Sequence, residues 1–171
     1  MLPTDLPTWV ISLLLAPFGL VIGYFGNVLI HRLPQEDPAQ RDVVWRPSAC
    51  PACGARIRPW HNLPLLGWLI LRGRCADCGG SISGRYPLVE LLGGLLFAAS
   101  PWVFPVGTLI WVKGLVCGFA LLVLFFTDLE QLLLPDALQF PLMVLGLLFA
   151  VPQMLWPESS ALQNGLQVAP A

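Results

Sequence analysis

Charge is what this sequence has least of. Of its 171 residues only 11% are Asp, Glu, Lys or Arg, against roughly 25% in an average soluble domain. With 56% apolar residues and a mean hydropathy of +0.73, an ordinary water-soluble globule is excluded. The apolar content equally excludes a disordered acidic or basic tail, which cannot be built from such side chains. The net charge of −1 points to no nucleic-acid or acidic partner. No basic residue precedes the first apolar run, where Asp5 is the only charge, so that run does not read as a secretory leader. Nor does any glycine-rich turn after a strand suggest a dinucleotide site.

What remains is apolar runs of membrane-spanning length. The first, 9–30, is interrupted only by Ser12 and Asn27 and is long enough as a helix to cross a core of about 30 Å. Others occupy 88–104, 106–126 and 138–156; the run at 88–104 is short for a span and carries Glu90 near its start. The expected fold is an all-α polytopic membrane protein with about four transmembrane helices. A small zinc-ribbon-like loop domain lies between the first and second. The expected organisation is a first helix within 1–30, a cysteine-bearing loop at 31–87, three further spans within 88–156 and a polar tail at 157–171. The loop holds Arg32, Arg41, Arg46, Arg56, Arg58, Arg72, Arg74 and Arg85, and only Lys113 lies elsewhere. Basic loops stay on the cytoplasmic side, so this asymmetry predicts a cytoplasmic loop and puts Asp128 at the cytoplasmic end of the third span.

Within the loop stand Cys50-Pro-Ala-Cys53-Gly and Cys75-Ala-Asp-Cys78-Gly. Two such knuckles match the ligand set of a four-thiolate zinc site, and the glycines permit the backbone turn each requires. A site closed by four protein thiolates is structural, and its metal would supply folding free energy to a loop with little core. A disulfide reading is disfavoured in a reducing cytoplasm, and no thioredoxin-like pattern surrounds either pair. Cys117, alone in the third span, reads as packing.

The second polar interruption is Thr127-Asp128-Leu-Glu130-Gln-Leu-Leu-Leu-Pro135-Asp136. Ionisable groups at membrane depth are costly and suggest function. For Asp136, following Pro135, a helix cap is an equal alternative. For Asp128 a helix C-terminus is the unfavourable end for negative charge, which leaves a chemical role open beside a boundary role. Glu90 could pair with a nearby arginine or help form a site. Arg72, Arg74 and Arg85 could anchor topology or neutralise an anionic cofactor or lipid headgroups.

Several linked motifs, taken in order, resemble the N-terminal part of the type IV prepilin peptidase and N-methyltransferase family. They are Phe25-Gly-Asn27-Val-Leu-Ile-His-Arg32-Leu-Pro34, the two knuckles joined by Asn62-Leu-Pro64-Leu-Leu-Gly-Trp68-Leu-Ile-Leu-Arg72-Gly-Arg74, and Ser83-Gly-Arg85-Tyr86-Pro87-Leu-Val-Glu90. The resemblance implies a bacterial inner-membrane aspartic endopeptidase that removes the leader of prepilins and pseudopilins of pilus and type II secretion systems. It also implies methylation of the new N-terminus with S-adenosylmethionine. Asp128 would be the first catalytic aspartate. Such an enzyme needs two carboxylates sharing a proton. The family's second lies in a Gly-x-Gly-Asp motif, whereas this chain has no Gly-Asp dipeptide. Taken alone the chain is expected to be incomplete, with Asp136 as the weaker internal candidate. The alternative is an inactive membrane-anchored zinc-ribbon module, or a methyltransferase-only remnant, in the same systems.

Overall fold

A computed structural model describes residues 6–37, 40–45, 47–132 and 135–155, with backbone only over 148–155. Arg46 and the expected tail at 157–171 lie outside the described residues. Helices stand at all four expected places: α1 Thr8–Arg32, α3 Arg85–Val103, α4 Leu109–Gln131 and α5 Asp136–Leu155, with a short α2, Leu66–Ile70, inside the loop. By length and composition α1, α3 and α4 can each cross a membrane, and α5 is apolar over its described side chains, Asp136–Leu147.

The boundaries move where polar side chains find partners the sequence does not reveal. Expected to start at 88, α3 begins at Arg85, whose guanidinium meets Glu130 of α4. Expected to stop at 126, α4 runs on to Gln131, because the buried Thr127 hydroxyl donates to the Val123 carbonyl at 2.8 Å and leaves the helix intact. Leu132 ends it in the left-handed conformation at φ 52°, its N–H returning to the Asp128 carbonyl at 2.8 Å. At the other end the Thr108 hydroxyl accepts from the Trp111 N–H at 3.3 Å, a side-chain cap.

The principal packing is α1 on α3, with α4 against both. Gly19 and Gly23 of α1 lie directly on Gly93 and Gly94 of α3. A methyl group on Gly23 would fall 2.7 Å from the Glu90 Cα, and one on Gly93 would fall 2.8 Å from the Gly23 Cα. Small residues four apart let membrane helices approach backbone to backbone, so Gly19-x-x-x-Gly23 was the signal for this contact. Polar pairs close both ends. At one end Trp102 donates to Ser12 and Trp111 to Ser100, each at 2.9 Å. At the other, Asn27 Nδ2 donates to the Tyr86 carbonyl at 2.9 Å. The three helices therefore alternate in direction, and the loop and the end of α4 share one end of the bundle.

Residues from Pro135 onward form a separate compact unit. There the Pro135 carbonyl accepts from Leu138 and Gln139 at 3.0 and 3.1 Å. Pro135 thus occupies the cap position and Asp136 is the first helical residue, its charge at the favourable positive end of the helix.

Replacing Gly23 with Leu should force α1 from α3 at a cost of about 1–3 kcal/mol or more, read as a lower unfolding midpoint in detergent. Replacing Gly146, beside which an added carbon meets nothing within 4 Å, should leave the midpoint nearly unchanged.

Candidate metal centre and the carboxylate end of the bundle

Each knuckle is a six-residue loop, 50–55 and 75–80, pinched by an antiparallel bridge, Ala49 to Arg56 and Arg74 to Ser81. The bonds inside are the same twice over. Cys50 N–H donates to the Ala55 carbonyl at 2.9 Å and Gly54 N–H to the Cys50 carbonyl at 2.8 Å; Cys75 to Gly80 and Gly79 to Cys75 repeat this at 2.8 and 2.9 Å. Gly54 and Gly79 sit at φ 72° and 71° with open space around them, so glycine is needed for its backbone freedom and not for room.

The folded loop brings Cys50, Cys53, Cys75 and Cys78 together, with all four sulfurs within 4.8 Å of one another and Cys50 to Cys78 at 3.9 Å. All four are free thiols. A tetrahedron with metal–sulfur bonds of about 2.3 Å has edges of about 3.8 Å, so the donor set fits an ion that prefers thiolates. The electrostatics of the four thiols are uneven. The backbone N–H groups of Cys53 and Ala52 point at the Cys50 sulfur and hold its thiol down to about 7. The Ala55 N–H favours the Cys53 thiolate too, but the Cys78 sulfur, desolvation and the other two sulfurs outweigh it and push Cys53 up to about 12. A bound cation would remove that mutual repulsion. The Arg58–Asp77 pair at 4.0 Å links the knuckles on an exposed surface and contributes little.

The loop is tied to the bundle by buried polar groups. Among the described residues Glu90 makes no ion pair with an arginine; its carboxylate accepts the Leu65 N–H at 2.7 Å. Within the loop itself, Trp68 Nε1 donates to the Ile82 carbonyl at 3.2 Å. Arg32 donates to the Asp42 carbonyl and, at 3.5 Å, to that of Pro47. Tyr24 of α1 meets both Ser48 and Asn62 of the loop.

Asp128 stands exposed in the last turn of α4, next to the fully buried Thr127. Two residues on, Glu130 makes the ion pair with Arg85, whose side chain is only 10% exposed and lies over the Tyr86 ring at 4.6 Å. Arg85 Nε is buried without a hydrogen bond. The four cysteines are thus brought together as the spacing predicts, whereas Asp128 and Asp136 belong to separate compact units. Sequence reading missed the Arg85–Glu130 pair, since 45 residues separate its members and nothing local signals it.

These features define a helical membrane protein whose first loop is a four-thiolate knuckle domain seated at the carboxylate-bearing end of the bundle. The chain belongs to the bacterial peptidase A24 N-terminal domain family, whose model matches residues 18–104. It is 41% identical to a prepilin leader peptidase/N-methyltransferase of Dickeya chrysanthemi, over 90% of this chain and 60% of that protein. It is 42% identical to the protein of that name from Stutzerimonas stutzeri, over 76% and 51%, and 36% identical to that of Neisseria gonorrhoeae, over 86% and 58%. The chain thus spans about half to three-fifths of these relatives' length. No solved structure matches.

Two outcomes follow from the site. In chelator-stripped protein Cys50 should be alkylated first. Because its thiol is held down, its rate should rise as pH climbs through about 7 and fall below it, while Cys53, held up, stays slow until about 12; mass-spectrometric mapping checks this, and Cys50→Ser should abolish the fast phase and lower bound metal. Separately, Glu130→Gln strands the Arg85 charge and should cost about 1–3 kcal/mol in thermal unfolding, with partial recovery when the two charges are exchanged.

Proposed function

We propose that this chain supplies the metal-bearing loop and the first catalytic carboxylate of a membrane aspartic endopeptidase acting on prepilins and pseudopilins. The protein lies in the bacterial inner membrane with its loop in the cytoplasm, where leaders are removed and the new N-terminus is methylated. One observation carries the reading. The relatives that match most of the chain are each named prepilin leader peptidase/N-methyltransferase, and Asp128 is exposed at the bundle end that also holds the loop.

The chemistry is general acid–base catalysis. One carboxylate of a dyad takes the proton of the attacking water while the other, protonated, polarises the scissile carbonyl. Asp128, at the end of a span, has the depth to meet a substrate whose apolar helix lies in the bilayer and whose cleavage site lies at its surface. Asp136 is the weaker candidate for the second member. Zinc is the metal we assign to Cys50, Cys53, Cys75 and Cys78: four thiolates close its coordination, so it folds the loop and takes no part in cleavage. S-adenosylmethionine is the methyl donor by analogy with the relatives' name. Among the described residues the only extended pairing is two isolated bridges, and no residue is assigned to that donor.

Asp128→Asn should reduce prepilin cleavage in membranes by at least about 10³-fold, with metal content and unfolding midpoint unchanged. Undiminished cleavage in this variant would overturn the assignment. A folded, metal-loaded parent that cleaves nothing would favour the non-cleaving module.

A further inference from the structure

The loop contains one stretch that a purely aqueous domain does not explain. Residues 63–71, Leu-Pro-Leu-Leu-Gly-Trp-Leu-Ile-Leu, carry no charged side chain and one polar atom, the Trp68 indole N–H, yet nine residues of helix reach only about 13.5 Å and cannot span a bilayer. The α2 turn at its centre leaves Leu66, Leu69 and Ile70 56%, 59% and 65% exposed. These positions, i, i+3 and i+4, form one face of the helix. The opposite side is spoken for: Gly67 is buried against the His61 carbonyl and Trp68 packs beneath Gly73.

The depth of this face is set by two contacts. Leu65, at the start of α2, gives its N–H to Glu90, and Glu90 is five residues, about 7.5 Å, inside the start of α3. The Glu90 backbone lies against Gly23 of α1, nine residues, about 13.5 Å, before that helix ends at Arg32. The entry to α2 is therefore level with membrane-spanning portions of two helices. At that level α3 also exposes the apolar side chains of Leu88 and Leu91. The chain turns in and out on one side: Leu65 and Arg72 hold φ 58° and 51° at either end of the segment. The Ile82 N–H then returns to the Gly73 carbonyl at 2.7 Å. Immediately beyond come Arg72 and Arg74, both exposed.

We infer that residues 63–71 form a re-entrant turn whose Leu66, Leu69 and Ile70 face enters the acyl boundary of the bilayer, with Arg72 and Arg74 at the level of anionic headgroup phosphates. An apolar face buried at the interface and backed by basic residues is the chemistry of an interfacial anchor. The second knuckle begins at Cys75, so the anchor holds the metal centre at the membrane surface. The inference rests on placement alone and stands whether or not the chain is a peptidase.

The test uses the full chain in vesicles of phosphatidylcholine and phosphatidylglycerol. Ile70→Trp, with Leu66→Trp as a second variant, adds an indole whose emission is read as the difference from the parent. Asp77→Trp, beside the exposed Cys78, is the aqueous control. Lipids spin-labelled near the headgroup end of the acyl chain should quench the added emission at position 70 or 66 by about twofold, the depth expected of an interfacial helix. Iodide should leave it unchanged, and the control should behave the opposite way. Quenching of the added indole by iodide and not by the labelled lipid would overturn the inference. So would insensitivity to both, the result if a second protein surface covers the face. Unchanged bound metal shows that each variant has folded.

Discussion

The close approach of α1 and α3 is the contact on which the rest of this structure depends. Lipid offers no hydrophobic force between helices, so association there relies on van der Waals contact and on polar groups that find partners. Gly19, Gly23, Gly93 and Gly94 bring backbone onto backbone at the crossing, with Phe97 and Leu20 packed closely beside them. Because that crossing is tight, Glu90, next to it on α3, is placed where it can take the Leu65 N–H. Asn27, one turn further along α1, is likewise placed to meet the Tyr86 carbonyl. A helix pair held by larger residues would stand farther apart and deliver neither group.

Around that pair the buried polar residues serve as ties between the loop and the helices. The loop has too little core to hold its position by burial, and its anchors are a carboxylate on a backbone amide, a guanidinium on two carbonyls and a tyrosine shared by a serine and an asparagine. Each is strong because the alternative, an unpartnered polar group away from water, is costly. Arg85 and Glu130 extend the same logic to α4. They join the residue where the loop ends to a point one half-turn from Asp128, so the metal-bearing loop and the carboxylate share one mechanical link. Each knuckle closes on its own bridge and its own two amide bonds, and the fold of the loop between them brings the two sulfur pairs together.

Much of this was legible without coordinates, for reasons that are local. Apolar runs long enough to span, knuckles whose spacing and glycines encode their own turns, and an acidic pair flanking a proline are all properties of short segments. Boundaries were less legible where a distant partner intervened. The polar Thr127-Asp128-Leu-Glu130 stretch looked like a helix end, but it continues α4 because Thr127 satisfies itself against Val123 and Glu130 meets Arg85. Glu90 read as a partner for arginine or as part of a site, and its carboxylate holds the Leu65 backbone.

Composition and short-range pattern by themselves determined that the chain is a helical membrane protein, where its apolar helices lie, and that four cysteines form one donor set. Each of these follows from hydrophobic length or from ligand spacing, which need only neighbours in sequence. The tertiary structure alone decided which helices touch, that the loop is fastened at the level of Gly23 and Glu90, that its apolar turn is left facing outward, and that Arg85 pairs with Glu130. Those are contacts between residues tens of positions apart, and their existence depends on how closely two helix backbones can come together.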